Sequence, residues 1–144
     1  MKIHYSHELP VSKHIAFETI IDPENLQNVI PGCESFETSS HNCYLISSKL
    51  TFGGIQGFYK SKLEIIDIKQ PNSLRLILAG KGTGATIRGE GIMVFNTLPR
   101  VTEVVVDGDI KVTGFAAALG QSIISGGAKV LLKQFFSSLK YKNS

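Results

Sequence analysis

The chain has only two cysteines, Cys33 and Cys43. That is too few for a disulfide framework or a zinc cage, and a reducing cytoplasm is the expected setting. Charge is sparse: 19% of residues are charged, and Lys plus Arg exceed Asp plus Glu by 15 to 12, a formal net charge of +3. A dedicated nucleic-acid binder concentrates far more positive charge on one face, so no nucleic-acid partner is expected. Met1–Pro10 reads MKIHYSHELP and has no apolar h-region, so no secretory signal is expected. The longest uncharged run, Val112–Ala128, contains Thr113, Gln121, Ser122, Ser125, Gly114, Gly120, Gly126 and Gly127. A membrane span needs about 20 predominantly apolar residues, so this run is expected as a helix buried in protein. No repeat or low-complexity segment is visible. With 144 residues and 42% hydrophobic content, residues 1–144 are expected to form one globular domain with its own core.

Periodicity supplies the elements. Lys2–Leu9 reads as a strand stopped by Pro10. Val11–Ile21 carries Val11, Ile15, Ala16, Phe17, Ile20 and Ile21 on one helical stripe. Asp22-Pro23-Glu24 starts a second, short helix with an N-cap acid and proline in the first turn, and Pro31-Gly32 ends it. From Cys33 the period changes to two. Cys33–Thr38, Asn42–Phe52, Ile55–Lys69, Ser73–Gly80, Thr83–Asn96 and Val101–Val112 read as strands, separated by Gly53-Gly54, Pro71-Asn72, Gly80–Gly82 and Pro99. The short connections predict a mainly antiparallel sheet. A long helix, roughly Gly114–Lys140, follows. Its expected apolar face is Phe115, Leu119, Ile123, Leu131, Leu132, Phe135, Phe136 and Leu139, with a kink at Gly126-Gly127. A sheet must cover its apolar face. The expected fold is therefore α+β: a curved antiparallel sheet of about seven strands gripping the last helix.

Alternation places Ile55, Gly57, Tyr59, Ser61, Leu63 and Ile65 inward, followed by Leu74, Leu76 and Leu78. The next inward set is Ala85, Ile87, Gly89, Gly91, Met93 and Phe95, and the last is Val104, Val106, Gly108, Ile110 and Val112. The inward glycines have two compatible explanations. They let the sheet curl or the helix lie close, or they leave a cavity, to which Ala116, Ala117, Gly120 and Gly127 would add. Tyr59 and Ser61 stand out as the inward polar groups. No inward carboxylate pair, and no inward histidine beside an acid, is expected. The candidate ligand-binding residues are Phe17, Ile30, Tyr59, Ser61, Leu63, Leu76, Ile87, Gly89, Gly91, Met93, Val106, Gly108, Phe115, Leu119 and Ile123. An apolar pocket with one or two polar groups suits holding a hydrophobic molecule. No catalytic residue is assigned.

Other motifs read blandly. Gly80–Gly84 matches no phosphate loop and leads into a strand, so it is a turn. His4, His7, His14 and His41 lack metal-ligand spacing, and no metal or cofactor is expected. Cys33 has no local signature of a nucleophile. Lys129, Lys133, Lys140 and Lys142 complement the dipole of the last helix, or give a weak attraction to an anionic membrane or an acidic partner.

Three strings carry a family resemblance: Ile21-Asp22-Pro23-Glu24-Asn25-Leu26 with Ile30-Pro31-Gly32-Cys33-Glu34-Ser35; Gly82-Thr83-Gly84 leading to Arg88-Gly89-Glu90-Gly91; and Leu119-Gly120-Gln121, Gly127-Ala128 and Gln134-Phe135-Phe136. Together the chain resembles the carbon monoxide dehydrogenase G-subunit family. The resemblance implies a helix-grip fold of the START and birch-pollen-allergen type over a hydrophobic cavity. It also implies an accessory role beside a molybdenum-containing dehydrogenase or hydroxylase, by membrane recruitment or by carrying a quinone. Because the sequence stops at Ser144, just after the helix, a soluble cytoplasmic carrier is expected, with at most peripheral contact at the inner face of the membrane. Three functions compete: a non-catalytic carrier of a quinone or lipid; a ligand-free assembly or recruitment factor whose cavity Phe115, Leu119 and Met93 fill; and a cyclase- or aromatase-like enzyme. The last would require His41, Glu34 or Asp22 inside the cavity.

Overall fold

A computed structural model describes residues 1–52 and 54–141. Gly53 and Lys142, named above as turn and tail residues, and the inward assignment of the Ile55 side chain lie outside the described residues. The elements are β1 (Lys2–Leu9), α1 (Lys13–Ile21), α2 (Pro23–Val29), β2 (Cys33–Ser40), β3 (Cys43–Phe52), β4 (Ile55–Lys69), β5 (Ser73–Gly82), β6 (Ala85–Leu98) and β7 (Val101–Thr113). A 3₁₀ segment (Phe115–Leu119) and α3 (Gln121–Ser137) follow.

Local chemistry starts each helix. The Ser12 hydroxyl accepts from Ile15 N to cap α1, and the Asp22 carboxylate accepts from Glu24 N to cap α2, with Pro23 in the first turn. The strands form one seven-stranded antiparallel sheet in the order β1-β7-β6-β5-β4-β3-β2. Strands β2 to β7 meander through successive hairpins, and β1 returns to lie beside β7. The register puts Ile3, Tyr5, His7 and Leu9 on the same face as Val104, Val106, Met93, Leu74, Ile65 and Ile46.

The helices cover this inward face unevenly. At one end, Leu9, Phe17, Ile20, Leu26, Tyr44, Leu74, Met93, Phe95, Val104 and Phe136 form a closed core. Phe17 and Phe95 meet there with ring centroids 4.9 Å apart. Each such large side chain contributes roughly 1.5–3 kcal/mol by burial. At the other end a smaller cluster of Tyr59, Ala85 and Ala116 is flanked by Leu50, Ile87, Val112 and Leu119.

The final helix departs from expectation. It does not run from Gly114 to Lys140. Gly120, at φ 88°, separates the 3₁₀ segment from α3 in a conformation that side chains other than glycine's rarely take. The helix is continuous through Gly126-Gly127 instead. Its phase also differs. Ile124 is buried at 4% exposure, while Ile123 is 49% and Phe115 84% exposed. Ile124 and Phe136 are the fully buried residues of α3. Phe115 is separated from α3 by the break at Gly120, whereas Ile123 lies in α3 beside Ile124 and faces away from its buried side.

Candidate functional site

Between the two clusters lies a stretch of inward face, the trough, that is left partly exposed. Leu63, Leu76, Ile110, Ser61, Gly80 and Gly89 are only half-buried there. Leu78, between Leu63 and Gly89 in the ladder, is 37% exposed although it points inward. Helix α3 packs mainly against β1, α2 and the 3₁₀ segment. On the side of α3 toward β3 opens a cleft of about 430 Å³, lined by Pro31, Gly32, Lys49, Leu50, Thr51, Gly127, Val130, Leu131 and Gln134. Leu50 also packs on the smaller cluster, so the cleft adjoins that cluster.

The inward glycines divide between the two expected roles. Gly91 and Gly108 are paired across β6 and β7. A methyl on Gly91 would meet Asp107 O at 3.0 Å, and one on Gly108 would meet Glu90 O at 2.7 Å. These two permit close backbone approach. A methyl on Gly89 would meet nothing nearer than Asp109 O at 3.6 Å, an ordinary van der Waals contact, so Gly89 has room for a side chain.

The candidate residues fall into distinct places. Phe17, Met93 and Val106 are buried in the closed core, and Ile30 packs against it. Ser61, Leu63, Leu76, Ile87, Gly89, Gly91 and Gly108 are half-buried inward residues. Tyr59 lies in the smaller cluster, close against Gly57 and Gly82, and its hydroxyl donates to Thr83 O at 3.3 Å. Leu119 packs on the same cluster. Phe115 and Ile123 do not reach the interior, so the expectation that Phe115 helps fill the cavity is corrected.

The inward polar inventory was underestimated. Tyr5, His7, Tyr44, Ser48 and Thr102 share the inward face with Tyr59 and Ser61. Tyr5 Oη and His7 Nδ1 share a hydrogen bond of 2.8 Å, and both rings stack on Phe136 at 6.0 and 5.5 Å. Burial, then the Lys133 ammonium, holds the His7 imidazole below its ordinary pKa, while burial raises the Tyr5 phenol. Alternation from Ile3 to Leu9 was the available signal for this pair. Alternation does not reveal that β1 lies beside β7 and under α3.

Among the described residues, the inward face of the sheet carries no carboxylate. Glu34 and His41 are exposed, and Asp22 is occupied at the start of α2. The Cys33 thiol is pushed up by burial and donates to Ser35 O at 3.5 Å, which keeps it out of the nucleophilic thiolate form. Among the described residues, no group of three or more His, Cys, Asp or Glu could hold a metal ion. Nor is any helix there long and apolar enough to cross a membrane. The trough can therefore exclude water from an apolar guest and offer it a few hydroxyl and imidazole contacts.

A curved antiparallel sheet closed by a C-terminal helix over an apolar trough defines a START-like helix-grip protein. Consistent with this, the chain is similar to a START superfamily protein from Mycobacterium smegmatis, with a TM-score of 0.72 and 14% identity over 95% of this chain and 92% of that one. The chain belongs to the carbon monoxide dehydrogenase G-subunit (CoxG) family, whose model it matches over residues 6–144. It is also similar to a conserved protein from Geobacillus kaustophilus, with a TM-score of 0.91 and 27% identity over 96% of this chain and 91% of that one. The Zhui aromatase/cyclase from Streptomyces sp. R1128 shares the fold, with a TM-score of 0.58 and 11% identity over 95% of this chain and 84% of that one. No curated protein matches the chain.

Proposed function

We propose that this protein is a non-catalytic carrier that holds a hydrophobic molecule, a quinone or a lipid, in the trough under α3, and that it serves a molybdenum-containing dehydrogenase. The observation that carries the reading is Leu78, a leucine on the inward face of the sheet that is left 37% exposed. An apolar floor without a covering side chain gains stability when an apolar guest covers it, at roughly 25 cal/mol per Å² removed from water. Membership of a family named for a component of carbon monoxide dehydrogenase supports the choice of partner. The lack of inward carboxylates supports binding over proton-transfer chemistry. Likeness to an aromatase/cyclase is a likeness of fold, which does not set function.

The test is native mass spectrometry and organic extraction of the purified protein, followed by titration with a quinone. A retained hydrophobic molecule or saturable quinone binding is the expected result. An empty protein that binds neither quinone nor lipid would remove the carrier reading and favour the recruitment factor.

A further inference from the structure

The sheet ends in two edge strands, β1 and β2, and they are finished differently. β2 meets β3 through two register shifts, between Cys33 and Ser35 and between Thr38 and Ser40. Such irregularities bend an edge away from further pairing. β1 pairs with β7 without a shift, from Lys2 opposite Asp109 to Leu9 opposite Thr102. Met1 and Ile110 exchange two hydrogen bonds: Met1 N donates to Ile110 O at 3.0 Å, and Ile110 N to Met1 O at 2.8 Å. Bonded pairs recur at every second residue of an antiparallel ladder. Ile3, Tyr5, His7 and Leu9 therefore bond to β7, while Lys2, His4, Ser6 and Glu8 turn their N–H and C=O groups to the free edge. Those four residues are exposed. Among the described residues, no loop or side chain bonds to these edge groups.

This edge is complementary to itself. Set antiparallel against a second β1 about a two-fold axis at Tyr5, Lys2 faces Glu8 of the second copy and His4 faces Ser6. Every free N–H and C=O of the four residues then finds a partner. A slip by two residues places Lys2 against Ser6, or His4 against Glu8, and leaves one residue of each strand unpaired. A slip by one residue opposes bonding positions to non-bonding ones. Charge favours the same register. Glu8 has no ion pair among the described residues, and its neighbour across the ladder is Glu103, a like charge that destabilises the pair. Lys2, already on Asp109 at 2.5 Å, would bring a cation to Glu8 of the second copy.

We propose that the free edge of β1 is an interface between two copies of this chain, which join their sheets into one continuous antiparallel sheet about a two-fold axis at Tyr5. Main-chain hydrogen bonds supply the attraction, and the Lys2–Glu8 pairs fix the register. A joint of one eight-residue strand from each copy is smaller than a standard interface of about 1,600 Å², so the dimer is weak and follows concentration. β3, whose residues line the cleft, lies toward the opposite edge of each sheet. Pairing through β1 therefore leaves both clefts open. The proposal goes beyond the carrier reading and does not depend on it.

The experiment is analytical ultracentrifugation of the full chain over a roughly hundredfold range of concentration, in which monomer should give way to dimer by mass action. Ser6→Pro removes a free-edge N–H without touching a bond to β7, and proline is tolerated on an edge strand. It should weaken the dimer by about tenfold or more while circular dichroism shows a folded monomer. Glu8→Lys and Lys2→Glu each set like charges against one another at both symmetry-related positions, and each alone should weaken the dimer by roughly tenfold. An equimolar mixture of these two variants faces opposite charges again and should regain association close to that of the parent. A parent that stays monomeric throughout would overturn the proposal. So would a folded Ser6→Pro protein that dimerises like the parent, or a mixture that associates no better than either charge variant alone. If Ser6→Pro does not fold, the charge variants and their mixture decide the matter by themselves.

Discussion

Asn25 joins parts of the chain that alternation and periodicity treat separately. It is 6% exposed on α2. Its amide nitrogen donates to Thr19 O at 3.1 Å and to Lys140 O at 3.0 Å, and its amide oxygen accepts from Lys140 N at 3.4 Å. One side chain thus ties α1 to the segment after α3. Replacing it leaves buried backbone groups unpaired, at about 1–3 kcal/mol for each such group. Asn25→Ala is expected to lower stability by roughly 2–3 kcal/mol in urea unfolding, and amides near Lys140 should exchange faster with solvent. His7 offers a different test at this scale. Its folded-state pKa lies below the ordinary value because of burial and Lys133, so the unfolded chain takes up the proton more readily. The sign follows from linkage: this contribution is fully present above about pH 6.5 and drains away as pH falls toward the depressed value. His7→Phe keeps an aromatic ring against Phe136 and removes the titration. Urea midpoints measured across this range should fall with acid in the parent protein and fall less in the variant. An NMR titration of His7 with a midpoint at or above the ordinary histidine value would contradict the assignment.

At the scale of elements, the strands and the closing helix were legible, but the break at Gly120 and the phase of Phe115 and Ile123 were not. Alternation identified β1 and β3 to β7 because their inward positions carry apolar residues and their outward positions carry Lys, Glu, Asp and Arg. The stretch from Gly114 to Gly127 carries four large apolar residues, Phe115, Leu119, Ile123 and Ile124. Two of them, Phe115 and Ile123, are exposed, and the positive φ at Gly120 breaks the helical phase between Phe115 and α3. The corrected phase can be checked directly. Ile124→Ala should cost about 2–4 kcal/mol, whereas Ile123→Ala should stay within about 0.5 kcal/mol of the parent, both read by thermal or urea unfolding. Equal costs at the two positions would contradict the burial of Ile124 and the exposure of Ile123 in α3.

For the whole molecule, the decisive contrast is between the closed half of the interior and the open half. Phe17, Tyr44, Phe95 and Phe136 seal one end so fully that each is at most 2% exposed, which leaves little freedom for substitution there. Around Gly89 the interior has room, since a methyl would meet nothing nearer than 3.6 Å, in contrast to Gly108. A bulky side chain at Gly89 should therefore occupy the trough without forcing the sheet apart. Gly89→Leu is expected to fold with a melting temperature within a few degrees of the parent and to lose quinone or lipid binding by at least tenfold. Gly108→Ala, which adds far less volume, should destabilise the fold by roughly 1–3 kcal/mol through contact with Glu90 O. If Gly89→Leu fails to fold while Gly108→Ala is tolerated, the space lies elsewhere. If Gly89→Leu folds and binds its guest as well as the parent does, the guest does not lie in the trough. Recruitment of a dehydrogenase by the same variant, measured by co-purification, would separate a surface role from a carrying one. Both require the partner to be bound, but only carrying requires the trough to be free.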